Sequence, residues 1–414
     1  MSNPKVLIPL DIADVNVLEV EVNRAGAIHI KVESSLSYAY CQKCGQKITK
    51  VHGYGEWVTV EHLPSFGRAV FLHYRPKRYE CPDCDGQPTT RQQLAWHEPN
   101  SPHTKAFDAY LLRMLVNSTV QDVALKAQVP YDTVWGVVER NLAGQVEWRQ
   151  YERLGVIGVD EIARHKGHGD FIAIVSARLA EGHVAILGVL PDRQKETVKA
   201  FFESIPADLR ATIHSVCSDL YEGYLAAARE ALPTARLVID RFHVARLYHT
   251  AADELRRTEL KRLKATLPLA QYKTLKGSLW AFRKSPADLS ADERTVLKRL
   301  FDLAPSLQTA YTLRERLTEI FDTAPSKNRA KRLLRDWQAD VRASGLHCFD
   351  KFLTTLHDAW NEITNYFVDL NTSAFVEGLN NKLKVLKRRC YGIFNLQHFF
   401  QLTFLDLEGF RLFA

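Results

Sequence analysis

The chain has 414 residues, 46% of them hydrophobic and 25% charged, which is ample material for two to four packed domains. Lys and Arg number 55 against 48 Asp and Glu, and the resulting net charge of +7 is compatible with a nucleic-acid partner. No apolar run reaches the length of a membrane span, and Met1-Ser2-Asn3-Pro4-Lys5 lacks the shape of a signal peptide, so a soluble cytoplasmic protein is the expectation. Seven cysteines, an odd count, argue against a disulfide scaffold.

Residues 1–100 carry short alternating runs at 27–32 and 69–74 that predict strands joined by tight turns. Two pairs, Cys41-Gln42-Lys43-Cys44 and Cys81-Pro82-Asp83-Cys84, bracket the second run, each beside a glycine-bearing turn. Four thiolates at two such turns suit a closed, tetrahedral structural zinc site. His52, His73 and His97 are possible further ligands but read rather as surface or packing residues, and Cys217, Cys348 and Cys390 as inert buried thiols. Arg75, Lys77 and Arg78 form a basic cluster.

Residues 101–150 turn helical. A helix is predicted over 119–127 with Ser118 as its N-cap, then a break at Gln128-Val129-Pro130, then a second helix over 132–140. These are helix-turn-helix proportions, although any helical hairpin shares them. If the pair reads DNA, exposed positions of 131–142 carry the reading, with Thr133, Trp135 and Arg140 as candidates.

From 154 to 240 the pattern predicts strands at 154–160, 171–178 and 183–190, a helix at 193–204, a strand at 213–218, a helix at 221–231 and a strand at 235–239. That is the order of a ribonuclease H-like fold. Asp160 ends the first strand and Asp219 follows the fourth. From 245 to 370 strand signals vanish and Leu, Lys, Arg, Ala and Glu dominate, which predicts an all-helical insertion. The fold class expected is α/β multidomain. A zinc-binding β-rich module (1–100) and a helix-turn-helix (101–150) precede a ribonuclease H-like core (151–245 and 371–414) split by the insertion (246–370).

The last predicted helix follows Asn371-Thr372-Ser373. Val376, Leu379, Leu383 and Leu386 make one apolar stripe, while Glu377, Asn381, Lys384 and Arg388 share another face. Taken alone this is an ordinary amphipathic helix. Two aspartates at strand ends and a third acid on a late helix suit a divalent-metal site for phosphodiester cleavage. Lys382, Lys384, Lys387, Arg388 and Arg389 then become candidates for tracking a DNA backbone beside it. Glu161 points to the opposite face of its strand from Asp160. Asp240, which also ends a strand, is the strongest alternate acid, and His243 reads as a capping or packing group.

Several phrases taken together resemble the transposases of the ISL3 class of bacterial insertion sequences. They are Gly158-Val159-Asp160-Glu161, Lys166-Gly167-His168, Ser218-Asp219, Asp240-Arg241-Phe242-His243-Val244, Val376-Glu377-Gly378-Leu379-Asn380-Asn381-Lys382 and Leu386-Lys387-Arg388-Arg389-Cys390-Tyr391-Gly392. The four cysteines, with Val51-His52-Gly53-Tyr54 and Arg78-Tyr79-Glu80-Cys81, resemble that family's N-terminal zinc module. The likeness runs from about Cys41 to near Ala414.

The resemblance implies an acid-triad (DDE) transposase with Asp160, Asp219 and Glu377 as the triad. It implies two Mg²⁺ (or Mn²⁺) ions held by that triad, and one structural Zn²⁺ on Cys41, Cys44, Cys81 and Cys84. The implied partners are double-stranded DNA, as terminal inverted repeats and target, and further copies of the chain in a homodimer or larger synaptic assembly. The implied setting is the nucleoid of a bacterial cytoplasm. Ser176-Ala177-Arg178 departs from the family, whose members often carry an acid there. Two alternatives stand beside this reading: a DNA-binding regulator with an inactive core, and a structure-specific nuclease of the same fold. Inverted repeats flanking the coding sequence separate both from a transposase.

Overall fold

The computed structural model describes residues 10–164, 169–369, 374–392 and 395–413, with the side chains of Glu181, Asp369, Ala374 and Glu377 outside the described set. Lys166-Gly167-His168 and Asn371-Thr372-Ser373 therefore lie outside the described residues. Two compact units divide the chain: Met1–Leu142 together with Leu405–Ala414, and Ala143–Phe404. No helix among the described residues is long and apolar enough to cross a membrane.

In the first unit, strands Val15–Val22, Ile28–Ser34, Arg68–Tyr74 and Val58–Ser65 form a sheet in that order. The middle pair is parallel and the outer pairs are antiparallel. Period-two alternation puts Ile30, Val32, Val70, Leu72 and Tyr74 on one face, where they bury with Val60 and Leu94. A second, smaller core gathers Ala39, Ile48 and Tyr79 around Cys41 and Cys81.

Three helices follow: α1 (Lys105–Leu115), α2 (Val120–Ala127) and α3 (Tyr131–Asn141). The cap of α2 is Thr119, not Ser118 as the sequence suggests. Ser118 closes a turn on the Leu115 carbonyl (2.9 Å), and the Thr119 hydroxyl accepts from the Asp122 N–H (2.9 Å). Gln128 takes the left-handed conformation that ends α2, and Pro130 precedes the first turn of α3. Val123, Val134, Val137 and Val138 are buried with Leu111 and Leu112, so α2 and α3 turn their apolar stripes inward.

The second unit is built on a five-stranded mixed sheet. Its strands are β1 (Val156–Ala163), β2 (Phe171–Arg178), β3 (Val184–Leu190), β4 (Ser215–Ser218) and β5 (Arg236–Ile239), in the order β3-β2-β1-β4-β5. Strands β1 to β3 pair antiparallel, while β4 and β5 join β1 in parallel. Helices α4 (Lys195–Ser204) and α5 (Glu222–Ala231) pack on each other and supply the crossovers that parallel pairing requires.

A long helix, α6 (Arg241–Thr266), leaves β5 and starts the helical region. That region continues through helices Ser278–Arg283, Ala291–Leu303, Pro305–Thr323, Lys327–Ala343 and Asp350–Asp358. Ser290 and Glu293 form a reciprocal capping box, and Trp337, fully buried, donates its indole N–H to the Leu313 carbonyl (2.8 Å). Helix α7 (Trp360–Asp369) returns to the sheet and covers its outer edge, where Asn365 donates to the Leu237 carbonyl of β5 (2.7 Å). Helix α8 (Ala374–Arg389) follows. The last helix, α9 (Leu396–Phe413), has its final turns from Leu405 onward in the first unit, where the Asn117 N–H donates to Asp406 (2.8 Å).

Candidate active site

The parallel pairing of β1, β4 and β5 aligns three aspartates. The β1–β4 ladder ends at Gly158 opposite Cys217, so Asp160 and Asp219 each lie two residues further along adjacent strands. The β4–β5 ladder ends at Ser218 opposite Ile239, so Asp219 and Asp240 each lie one residue beyond it. All three acids therefore stand in one row across adjacent strands, Asp219 and Asp240 just past the ends of β4 and β5 and Asp160 within β1, which runs on to Ala163 instead of ending at the acid as the sequence suggests.

Their partners differ. Asp160 accepts from the Glu161 N–H at Oδ1 (2.7 Å) and from the Asn380 amide at Oδ2. Burial pushes its carboxyl up to about 6, and the negative charges of Asp219 and Asp240 push the same way, against the Glu161 N–H and the charge of His243. Asp219 accepts from the Tyr221 N–H (2.9 Å). Asp240 caps α6, accepting from the Phe242 N–H (2.8 Å), with His243 Nε2 3.8 Å from its other oxygen. Glu161 faces away, as strand alternation predicts, and pairs with Arg193 (2.7 Å), whose guanidinium lies over the rings of Phe171 and Tyr221.

Helix α8 crosses the sheet at Gly158. A Cβ there would lie 2.3 Å from Val376 and 3.0 Å from Phe375, so only glycine allows this approach. Val376, Leu379, Leu383 and Leu386 are all buried, as their spacing predicts. Glu377 sits on α8 directly after Val376, and its side chain is outside the described set. Asn381, Lys384 and Arg388 are exposed, Lys382 and Arg389 are half-buried, and Lys387 donates to the Ala163 carbonyl at the end of β1. Ser176, at the position where an acid was expected by likeness, is buried, and its hydroxyl donates to the Gly158 carbonyl (3.4 Å).

Two buried polar atoms near these acids have no partner among the described residues: Asn380 Oδ1 and the hydroxyl of Tyr224, which lies in the field of Glu161, Asp219 and Asp160. Hard carboxylate oxygens in a row, beside unsatisfied polar atoms, fit a divalent cation with its water.

The four cysteine sulfurs of the N-terminal unit lie within 4.8 Å of one another, with Cys41–Cys84 at 4.0 Å and Cys44–Cys81 at 3.7 Å. Zn–S bonds of about 2.3 Å in a tetrahedron give sulfur–sulfur edges of about 3.8 Å, so the cluster fits one structural zinc. Backbone N–H groups of Cys44 and Lys43 hold the Cys41 thiol down at about 6, which favours the thiolate. Gly45, at φ +73, makes the turn after Cys44 that a side chain would strain. None of the three histidines joins the cluster. His52 pairs with Glu80, His73 stacks on His29, and His97 is buried between the Tyr74 hydroxyl and the Ser101 carbonyl (both 2.8 Å). Of the other thiols Cys217 is buried, while Cys348 and Cys390 are only partly so.

On α3, Thr133 and Trp135 are half-buried. Arg140 is tied to Asp108 of α1 (3.2 Å), whose carboxylate is also held by His103 and Asn141. Residue types alone reveal neither this network, nor the Arg193 contact to Glu161, nor the Asn380 contact to Asp160. The one signal for Asn380 is its place beside the apolar stripe of α8.

Comparison with known proteins agrees with the domain order. Residues 157–403 match a family model described as transposase of the ISL3 type. Residues 92–140 match the helix-turn-helix domain of transposase family ISL3, and 38–84 the zinc-finger of transposase IS204/IS1001/IS1096/IS1165. The chain is 28% identical over 378 residues to the transposase for insertion sequence element IS1001 of Bordetella parapertussis, covering 90% of each. It is 24% identical over 400 residues to the transposase for insertion sequence element IS1557 of Mycobacterium tuberculosis, covering 90% of this chain and 86% of that one. With its largest family match spanning well over half of its length, the chain belongs to the ISL3 family of transposases.

Proposed function

We propose that this transposase cuts and joins DNA by acid-triad chemistry on a ribonuclease H-like core, with Asp160, Asp219 and Glu377 holding two Mg²⁺ or Mn²⁺ ions. The observation that carries the reading is the row formed by Asp160 and Asp219 on adjacent parallel strands, with the helix bearing Glu377 crossing at Gly158. The strand order β3-β2-β1-β4-β5, antiparallel then parallel, supports the fold reading. When bound, such ions activate an oxygen nucleophile and neutralise charge building on the phosphate.

The chain's own residues do the rest. Asp160, its Oδ1 held by the Glu161 N–H and its Oδ2 by Asn380, presents a fixed carboxylate. Exposed Lys384 and Arg388 on α8 engage DNA phosphates beside it, with Lys382, Lys387 and Arg389 flanking. Water attacks a phosphodiester at the element's end and frees a 3′-hydroxyl, which then attacks a phosphodiester of target DNA and displaces that strand's 3′ oxygen. Helix α3 reads the terminal inverted repeats from its exposed face, with Thr133 and Trp135 at its start. Two or more copies assemble on paired ends, in the bacterial nucleoid.

The test is cleavage of a duplex carrying the element's end. D160N, D219N and E377Q should each abolish metal-dependent cutting while retaining DNA binding. Near-normal cutting by any of them removes that residue from the triad.

A further inference from the structure

Asn380 is a polar side chain in a place built for an apolar one. It lies four residues after Val376 and three before Leu383, on the flank of α8 that packs onto the sheet, and it is 4% exposed. Burying an amide costs free energy unless its hydrogen bonds are made. Its amide donates to Asp160 Oδ2, across 220 residues of sequence, while its carbonyl oxygen is buried with no partner among the described residues. Asp160 Oδ1 is already engaged by the Glu161 N–H, so Asn380 completes the immobilisation of that carboxylate. Further along the same flank, Lys387 ties α8 to the Ala163 carbonyl of β1, so Asn380 is not needed to dock the helix.

We propose that Asn380 is a positioning residue for metal binding: its amide fixes the Asp160 carboxylate, and its free carbonyl accepts from a water of the metal's shell. The inference rests on the reading of Asp160 as a metal ligand. An amide offers a donor and an acceptor on one rigid plane, so a single residue serves both the carboxylate and the water. It also joins the strand that carries one acid to the helix that carries another. Groups that orient metal ligands in this way are typically worth about 10- to 100-fold in metal affinity or activity.

The experiment uses the full chain, the element-end duplex and Mn²⁺ as probe. Cleavage and direct Mn²⁺ binding by electron paramagnetic resonance are measured for wild type, N380A, N380D and D160N. N380A should need about 10- to 100-fold more Mn²⁺ for half-maximal cleavage and bind the ion correspondingly less tightly, with unchanged DNA affinity. N380D, which keeps the shape but sets a second carboxylate against Asp160, should shift the rise of the pH–rate profile to higher pH. If D160N is inactive while N380A and N380D both follow the wild-type Mn²⁺ titration and pH profile, Asn380 is mere packing and the proposal fails. If D160N itself cleaves and binds Mn²⁺ normally, the reading of Asp160 fails first.

Discussion

Asp160 and Asp219 lie at equal distances beyond the paired residues Gly158 and Cys217, so the two acids stand side by side, Asp160 within β1 and Asp219 just past the end of β4. Parallel pairing sets this register, because both strands run the same way and equal steps along each keep residues opposite one another. The crossover through α4 that makes β4 parallel to β1 is therefore what brings together two acids 59 positions apart (219 − 160).

That arrangement has a cost in the metal-free protein. Asp160 in the folded chain titrates at about 6, against about 3.9 when unfolded. The folded state thus binds an extra proton between those values, and stability falls as pH rises from about 4 to about 6, then levels off. D160N should stabilise the metal-free chain at pH 7–8 by up to about 3 kcal/mol, at about 1.4 kcal/mol per pKa unit. The gain should vanish below about pH 4, where Asp160 is protonated in both states. Urea melts at pH 4 and pH 8 without added Mg²⁺ or Mn²⁺ check the sign; equal gains at both would contradict it.

Gly158 should tolerate nothing larger. G158A puts a methyl group inside contact distance of Val376 and forces α8 outward, at about 1–3 kcal/mol of overpacking. Because α8 also carries Asn380 and Glu377, cleavage should fall further than stability does. V376A removes the clashing methyl groups, so G158A/V376A should recover part of both losses, and a double-mutant cycle with zero coupling would show that the contact is not the cause.

What the sequence makes legible is local. The acid just past β4, the apolar stripe of α8 and the two cysteine pairs each follow from residues close together in the chain, whereas β1 runs past Asp160 to Ala163 because buried Ile162 continues its alternation. The contacts that complete the site do not. Arg193 reaches Glu161 over 32 positions and Asn380 reaches Asp160 over 220, so neither role exists until the sheet has formed. Arg140 shows no ion pair on a bare helical wheel because its partner, Asp108, belongs to a different helix. Even the cap of α2 shifts by one residue, since Ser118 and Thr119 are chemically equivalent and only the turn after Leu115 selects between them.

The cysteine cluster should hold one zinc per chain, and chelation should abolish cooperative folding of the small core around Ala39, Ile48 and Tyr79, which is too small to fold without the metal. C81S should drop zinc content well below one equivalent. Metal analysis of freshly purified protein decides this, and full zinc in C81S would contradict the four-sulfur site.

In the helical region, Asp253 on α6 is buried against Arg256 and Arg283. Burial pushes its carboxyl up, but the hydrogen bonds of the two guanidiniums prevail and hold it at about 2. A depressed carboxyl stabilises the fold above its unfolded value near 3.9, and that contribution is lost as pH falls toward 2. Discounted for the exposure of Arg283, it is about 1–2 kcal/mol. D253N should therefore be destabilised at pH 7 but close to wild type at pH 2 and below. A pH-independent difference in urea midpoints would assign the loss to packing instead.

The two DNA-facing surfaces should separate in a salt titration. Lys384 and Arg388 are exposed on α8 and engage phosphates if the proposed function holds, so K384A and R388A should weaken binding to every sequence alike. Each should flatten the slope of log affinity against log salt by about 0.9 for every phosphate that is no longer neutralised. T133A on α3 should instead reduce preference for the terminal repeat over random DNA and leave the slope nearly unchanged. R140A is the discriminating case, because Arg140 is held by a carboxylate that is largely buried. Removing it strands the charge of Asp108, with only His103 and Asn141 left as partners. It should lower the melting temperature of the first unit, and repeat preference should be lost only in proportion to unfolding. If R140A melts like wild type yet loses repeat preference, Arg140 reads DNA directly and its ion pair opens on binding.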